Sequence, residues 1–163
     1  MFNVSLNVEG QIRDILSKEK VSGGQKILIV GLDKKGEMLK QFPSGDVTSV
    51  EMREERVQAL RGMKFVNKPK IICGKYPDVI NRGEQFSIVV IKHLVHLVKK
   101  EDAQKILKGG YENLQPGGVM CVTVPGLGND TKTENLINSL KFDYTTQKLT
   151  GLGMGKAFLI RES

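Results

Sequence analysis

Short apolar runs recur along this chain, separated by stretches with helical spacing. Ile27-Leu28-Ile29-Val30 is the first run, and it stops at Gly31. Val47 to Val50 is the second, and it stops at Glu51, 20 residues after Gly31. A third strand is expected at Lys70–Cys73. A fourth, Phe86–Ile91, is apolar at nearly every position, as suits a parallel strand buried on both faces. A fifth covers Val119–Val124 and ends at Pro125-Gly126, after the tight turn expected at Pro116-Gly117-Gly118. Two last strand-like segments lie near 142–149 and 156–161, around the glycine-rich turn Gly151–Gly155.

Helical patterns fill the gaps. Residues 8–19 carry Ile12, Ile15 and Leu16 on one face, and Ser22-Gly23-Gly24 breaks the pattern. A helix over 34–42 ends at Pro43-Ser44-Gly45. Arg53–Leu60 is rich in good helix formers, with Gly62 placed as its C-cap. Tyr76–Arg82 reads as a short helix or loop. Glu101–Asn113 turns Ala103, Ile106 and Leu107 inward, with Glu101 and Asp102 at its positive end. A last helix is expected at 133–140. Strands that alternate with helices imply right-handed crossovers and a mostly parallel sheet. Only the last two strands lack a helix between them, so they are expected to form an antiparallel hairpin at one edge. Without that hairpin the pattern would fit a nicotinamide-type dinucleotide fold.

The spacing of Gly31 and Glu51 carries chemistry. A nucleoside cofactor lies across the ends of two adjacent parallel strands. A glycine lets the backbone approach it, and an acid accepts hydrogen bonds from ribose hydroxyls. The same carboxylate could instead cap the helix that starts near Arg53. Lys92 and His93 follow the fourth strand directly, where the ligand crevice of an open α/β sheet lies. Both are candidate catalytic groups, since a histidine there can act as a general base near neutrality. His93 and His96 are the only histidines, and no third ligand type clusters with them, so no metal site is expected. Gly151 to Lys156 looks like a phosphate loop, but Ala157 stands where Ser or Thr is needed and a strand follows.

Size and charge add bounds. The 163 residues form one expected domain, 1–163, with 39% hydrophobic residues and no run near the ~20 residues of a membrane span. The first residues lack the basic and apolar regions of a signal peptide. Cys73 and Cys121 sit in apolar runs and read as buried free thiols of a reducing, cytoplasmic compartment. The net charge of +7, from 25 Lys+Arg against 18 Asp+Glu, favours a nucleic-acid partner or simply a solubilised surface.

The glycine turn with Glu51 downstream, the segment Glu84-to-Val98 around EQFSIVVIKHLVHLV, and the segment ILKGGYENLQPGGVMCVTVP together resemble the class I S-adenosylmethionine-dependent methyltransferase family. The phrase Leu114-Gln115-Pro116-Gly117-Gly118-Val119 is its most specific part. The resemblance runs from about residue 8 to residue 161. It implies an α/β, Rossmann-like methyltransferase fold: a seven-stranded, mostly parallel sheet with an antiparallel C-terminal hairpin. It also implies S-adenosylmethionine as cofactor, held by Gly31, Asp33, Glu51 and Gly74. Departures are Ile29 where the family carries an acid, Asp33 and Lys35 in place of glycines, Lys75 near the adenine position, and Ser87 for an acid on the fourth strand. The family's Asn/Asp-Pro-Pro-aromatic motif for amino groups on bases is replaced by Lys92-His93-Leu94, and no Pro-Cys nucleophile is present. The resemblance therefore implies a divergent methyltransferase. The alternative is a non-catalytic module of the same fold that binds a protein or nucleic-acid partner.

Overall fold

A computed structural model describes residues 7–19, 25–151 and 155–162. The break expected at 22–24 and the tip of the final turn, 152–154, lie outside the described residues. The elements run α1 (Val8–Ser17), β1 (Lys26–Val30), α2 (Glu37–Lys40), β2 (Asp46–Glu51), α3 (Glu54–Arg61), β3 (Lys70–Cys73) and β4 (Phe86–Lys92). A single 3-10 turn at Val95–Leu97 then leads to α4 (Lys100–Glu112), β5 (Leu114–Val124), α5 (Asn129–Ser139), β6 (Tyr144–Lys148) and β7 (Lys156–Arg161). The seven strands form one sheet in the order β3-β2-β1-β4-β5-β7-β6. The first five are parallel, and β7 runs antiparallel to both β5 and β6. The closing hairpin is thus present.

Alternation along the strands divides the core in two, because successive side chains leave opposite faces of a sheet. Ile27, Ile29, Ile88 and Val90 face α1, α2 and α3, where Ile12, Met38 and Leu60 are fully buried. Leu28, Val30, Val89 and Ile91 face the other side, where Ile106 and Leu107 of α4 and Ile137 of α5 pack. Strands buried on both faces must be apolar at consecutive positions, which is why β1 and β4 read as unbroken runs.

Three expectations change, and the choice of short helix or loop at Tyr76–Arg82 resolves as loop. The helix expected over 34–42 has only residues 37–40, because the Asp33 carboxylate accepts the N–H groups of Lys35 (3.1 Å) and Glu37 (3.0 Å) and holds the preceding segment as a turn. The expected turn at Pro116-Gly117-Gly118 is a bulge inside β5: Phe86 pairs Leu114 but Ile88 pairs Val119, so extra residues are absorbed on one strand. Tyr76–Arg82 is a chain of turns, held where Tyr76 Oη donates to Asn113 Oδ1 (2.8 Å) and Asn113 Nδ2 donates to the carbonyls of Asn81 and Glu84. Cys73 is exposed, since β3 is an edge strand, whereas Cys121 is buried as expected in β5.

A side chain at Gly155 would land on the Val124 carbonyl, with Pro125 Cα 3.0 Å away. Both obstacles are backbone and cannot rotate aside. Gly155→Ala is expected to cost about 3 kcal/mol by overpacking. Gly83→Ala, with nothing nearer than 3.6 Å, should stay within about 0.5 kcal/mol. Urea midpoints of the two variants check this.

Candidate functional site

The chain runs outward from β1 to β2 and β3 on one side, and through β4 and β5 on the other, so the strand order reverses between β1 and β4. A crevice is expected beyond the carboxyl ends there. It is found as a cavity of about 520 Å³. Gly31, Asp33, Glu51, Gly74, Lys92 and His93 all line it, so the structure brings every candidate residue to one place. Val30, Val50, Val98 and Ile106 supply apolar walls, and Met52 and Leu97 stand at its exposed rim. A second hollow, of about 380 Å³, lies between the turns at 77–82 and the C-terminal half of α4, and holds none of the candidates.

Gly31 has φ +92, and a Cβ there would sit 2.9 Å from the Lys92 carbonyl oxygen. Its own N–H donates to the Val50 carbonyl at 3.2 Å. Only glycine satisfies both the left-handed turn and this close approach. Glu51 is almost fully buried at the end of β2. Its Oε1 accepts the Leu32 N–H (3.2 Å), and its Oε2 accepts the backbone N–H (2.7 Å) and Nε (3.2 Å) of Arg53. Arg53 is the N-cap residue of α3, so this carboxylate does tie down that helix start. Arg56 adds a bond from Nη1 to the Leu32 carbonyl (2.8 Å). The Gly74 N–H donates to the Glu51 carbonyl at 3.1 Å, continuing the β2–β3 pairing into the cavity wall.

Lys92 is largely buried. Its Nζ forms an ion pair with Glu9 of α1 and lies 4.0 Å from Asp33 Oδ1. Burial works to raise the Asp33 carboxyl, but the Glu37 amide, the Lys92 ammonium and the Met38 amide outweigh it and leave its pKa lowered. His93 turns at φ +48, which puts its ring back against β5: Nδ1 lies 2.8 Å from Thr123 Oγ1. Its backbone N–H reaches the Thr123 carbonyl (2.9 Å) and Oγ1 (3.2 Å). Burial, then the Lys92 ammonium and His96, push the His93 ring down to about 4, against smaller raising effects of Thr123 and Glu9. The His96 ring meets that of His93 edge-on at 6.2 Å.

Sequence reasoning missed Glu9, Thr123 and Arg56. Glu9 left a signal, since it lies three residues before Ile12 on the buried face of α1. Thr123 sits in an apolar run and left none.

The strand order with its reversed seventh strand defines the Rossmann-like methyltransferase fold. A methyltransferase from Pyrococcus furiosus superposes with a TM-score of 0.75 at 15% identity, over 96% of this chain and 84% of that one. A SAM-dependent methyltransferase from Archaeoglobus fulgidus gives 0.75 at 12% identity, over 95% and 93%. The magnesium protoporphyrin IX methyltransferase of Synechocystis PCC 6803, solved with bound SAM, gives 0.74 at 10%, over 95% and 78%. In sequence, a carboxy-S-adenosyl-L-methionine synthase from Shewanella piezotolerans is 27% identical over 75 residues, which are 46% of this chain and 30% of that enzyme. No family model matches the chain.

Lys92 and Glu9 form a buried pair, with side chains 13% and 11% exposed. Lys92→Met alone leaves Glu9 buried and uncompensated, at an expected cost of about 3–5 kcal/mol. Adding Glu9→Gln should recover most of it. Urea unfolding of the single and double variants measures the recovery.

The folded-state value of about 4 for His93 lies below its ordinary 6.5. Between those values the unfolded chain binds a proton that the folded chain does not. The stability contributed by the neutral ring is therefore complete above 6.5 and lost as pH falls toward 4. His93→Asn tolerates the left-handed turn and removes this titration. Unfolding free energies at about pH 7 and about pH 5 should differ less in the variant than in the parent.

Proposed function

We propose that this chain binds S-adenosylmethionine in the 520 Å³ cavity and is a methyltransferase. The observation that carries the reading is the placement of Gly31 and Glu51 together in the cavity wall at the ends of β1 and β2, with Glu51 Oε1 accepting, among the described residues, the Leu32 N–H alone. A carboxylate oxygen has two acceptor sites, so Oε1 retains one for a ribose hydroxyl. The cavity volume falls in the range of about 300–1,000 Å³ usual for small-molecule sites. Its lining carries three carboxylates, Asp33, Glu51 and Asp102, and four cationic side chains, Arg53, Arg56, Lys75 and Lys92, of which Glu51 is the most buried, so the reading rests on the placement of Glu51 and not on net charge.

When bound, the cofactor supplies a methyl group on a sulfonium, already activated for transfer. This chain's residues supply the rest. Gly31 admits the ligand to the backbone, Glu51 and Gly74 form the wall at the β2 and β3 ends, and Asp33 with Glu9 offsets positive charge. His93 and Lys92 face the β4 side. Methyl transfer requires little beyond a held, in-line pose and exclusion of water, and the apolar walls Val50, Val98 and Ile106 serve that.

One observation favours a second reading, a non-catalytic module with a protein or nucleic-acid partner. The Lys92 ammonium sits inside the cavity as part of a self-contained ion cluster, which a cationic ligand must accommodate. The basic surface would then be the interface.

Calorimetry with S-adenosylmethionine and S-adenosylhomocysteine separates the two, since absence of heat for either at millimolar ligand counts strongly for the module. Glu51→Ala is expected to weaken cofactor binding roughly 10- to 150-fold, from about 1.5–3 kcal/mol for a hydrogen bond to a charged group. It also leaves the Leu32 N–H unpaired, so the melting temperature should drop as well. A lower melting temperature with unchanged affinity would remove Glu51 from the ligand site.

A further inference from the structure

Thr123 is fully buried in the middle of the sheet. A threonine hydroxyl has one hydrogen to donate and lone pairs to accept with. The His93 backbone N–H can only donate, and it reaches Thr123 Oγ1 at 3.2 Å, so one lone pair is used. The hydroxyl hydrogen then needs an acceptor. Among the described residues the only one within hydrogen-bond reach of Oγ1 is His93 Nδ1, at 2.8 Å.

Two arrangements are conceivable. If Nδ1 carried the ring proton, it would donate to Oγ1 or to the Thr123 backbone, and in either case the buried hydroxyl hydrogen would have no partner. Leaving a buried donor unmade is the costly choice. If Nδ1 is bare, the hydroxyl donates to it and every group is paired. The neutral imidazole carries one proton, which is then on Nε2. Burial and the neighbouring Lys92 ammonium keep the ring neutral at ordinary pH.

Nε2 bonds to no described protein group. Among the described residues, the buried side-chain polar atoms without a partner are Gln41 Oε1 and His96 Nδ1, so His93 Nε2 is not enclosed. His93 lines the cavity. We infer that Thr123 fixes His93 in the Nε2–H form, so that His93 offers the cavity a neutral hydrogen-bond donor and selects an acceptor molecule that presents an oxygen lone pair there. His93 is then a specificity-determining residue and not a general base, which revises the role the sequence suggested. The substrate part of this inference rests on the methyl-transfer reading; the ring's proton position does not.

The chain contains two histidines, so two-bond 1H–15N correlation of the uniformly 15N-labelled full chain at neutral pH shows two rings. His96→Gln assigns them. The expected result is a bare, imine-type Nδ1 and a protonated Nε2 for His93. A protonated Nδ1, alone or with Nε2, would overturn the inference. Thr123→Val removes the hydroxyl at nearly constant shape. It should move the His93 Nδ1 shift away from the imine position toward the average of two exchanging forms, while Thr123→Ser should leave it in place. An unchanged shift in a folded Thr123→Val variant would show that Thr123 does not set the form. None of these readouts depends on cofactor binding, so a failure of the methyl-transfer reading leaves them unaffected and is told apart from failure here.

Discussion

The crevice depends on one steric constraint: there is no room for a side chain at residue 31. β1 and β4 run in register up to Val30 and Ile91, and the Lys92 carbonyl then lies where a Cβ of residue 31 would be crowded. Glycine lets the chain keep its bond to Val50 and still turn away from β4 at φ +92. That turn delivers the N–H of Leu32 to Glu51 and its carbonyl to Arg56, and brings Asp33 over Lys92. Any larger residue would push β1 from β4 at the one place where the sheet must stay closed beneath a cavity.

A single buried ammonium organises the charges above that floor. Lys92 fastens α1 through Glu9, helps depress the Asp33 carboxyl and disfavours a proton on His93. The attraction of two unit charges 4 Å apart, about 4 kcal/mol at an effective dielectric of about 20, is offset by desolvation of both ions, but removing one partner of such a buried pair costs about 3–5 kcal/mol. Helix α1 is therefore held to the cavity by more than its apolar face. It precedes the sheet in sequence, yet its Glu9 belongs electrostatically to the end of β4.

The strands were legible because burial on both faces leaves no freedom of pattern, and the edges were legible where polarity returns, as in Tyr144–Lys148. The candidate residues were legible for a related reason: Gly31, Glu51, Lys92 and His93 each end an apolar run, and strand ends meet at the crevice. What failed depended on contacts that local pattern does not encode. The short α2 follows from three backbone amides gathered by Asp33. The bulge in β5 follows from register against β4. Cys73 looked buried because β3 is apolar, and strand order alone places it at an edge. Thr123 was invisible because a threonine in a strand is ordinary until the residue opposite it is known.

A fold of this kind hosts many chemistries, so the acceptor must be argued from the cavity. Its titratable groups are already engaged. Asp33 accepts three backbone amides, Glu51 holds Leu32 and Arg53, Asp102 pairs with Lys75 at 3.6 Å, and Lys92 pairs with Glu9. With His93 turned donor-outward by Thr123, the described residues that line the cavity offer no carboxylate and no bare imidazole nitrogen without a partner to remove a proton from an incoming nucleophile. On the methyl-transfer reading, an acceptor must then arrive already nucleophilic at neutral pH. With His93 as proposed above, a carboxylate would meet that condition, its second oxygen accepting a hydrogen bond from His93 Nε2–H. A neutral alcohol, which must lose a proton as it reacts, does not.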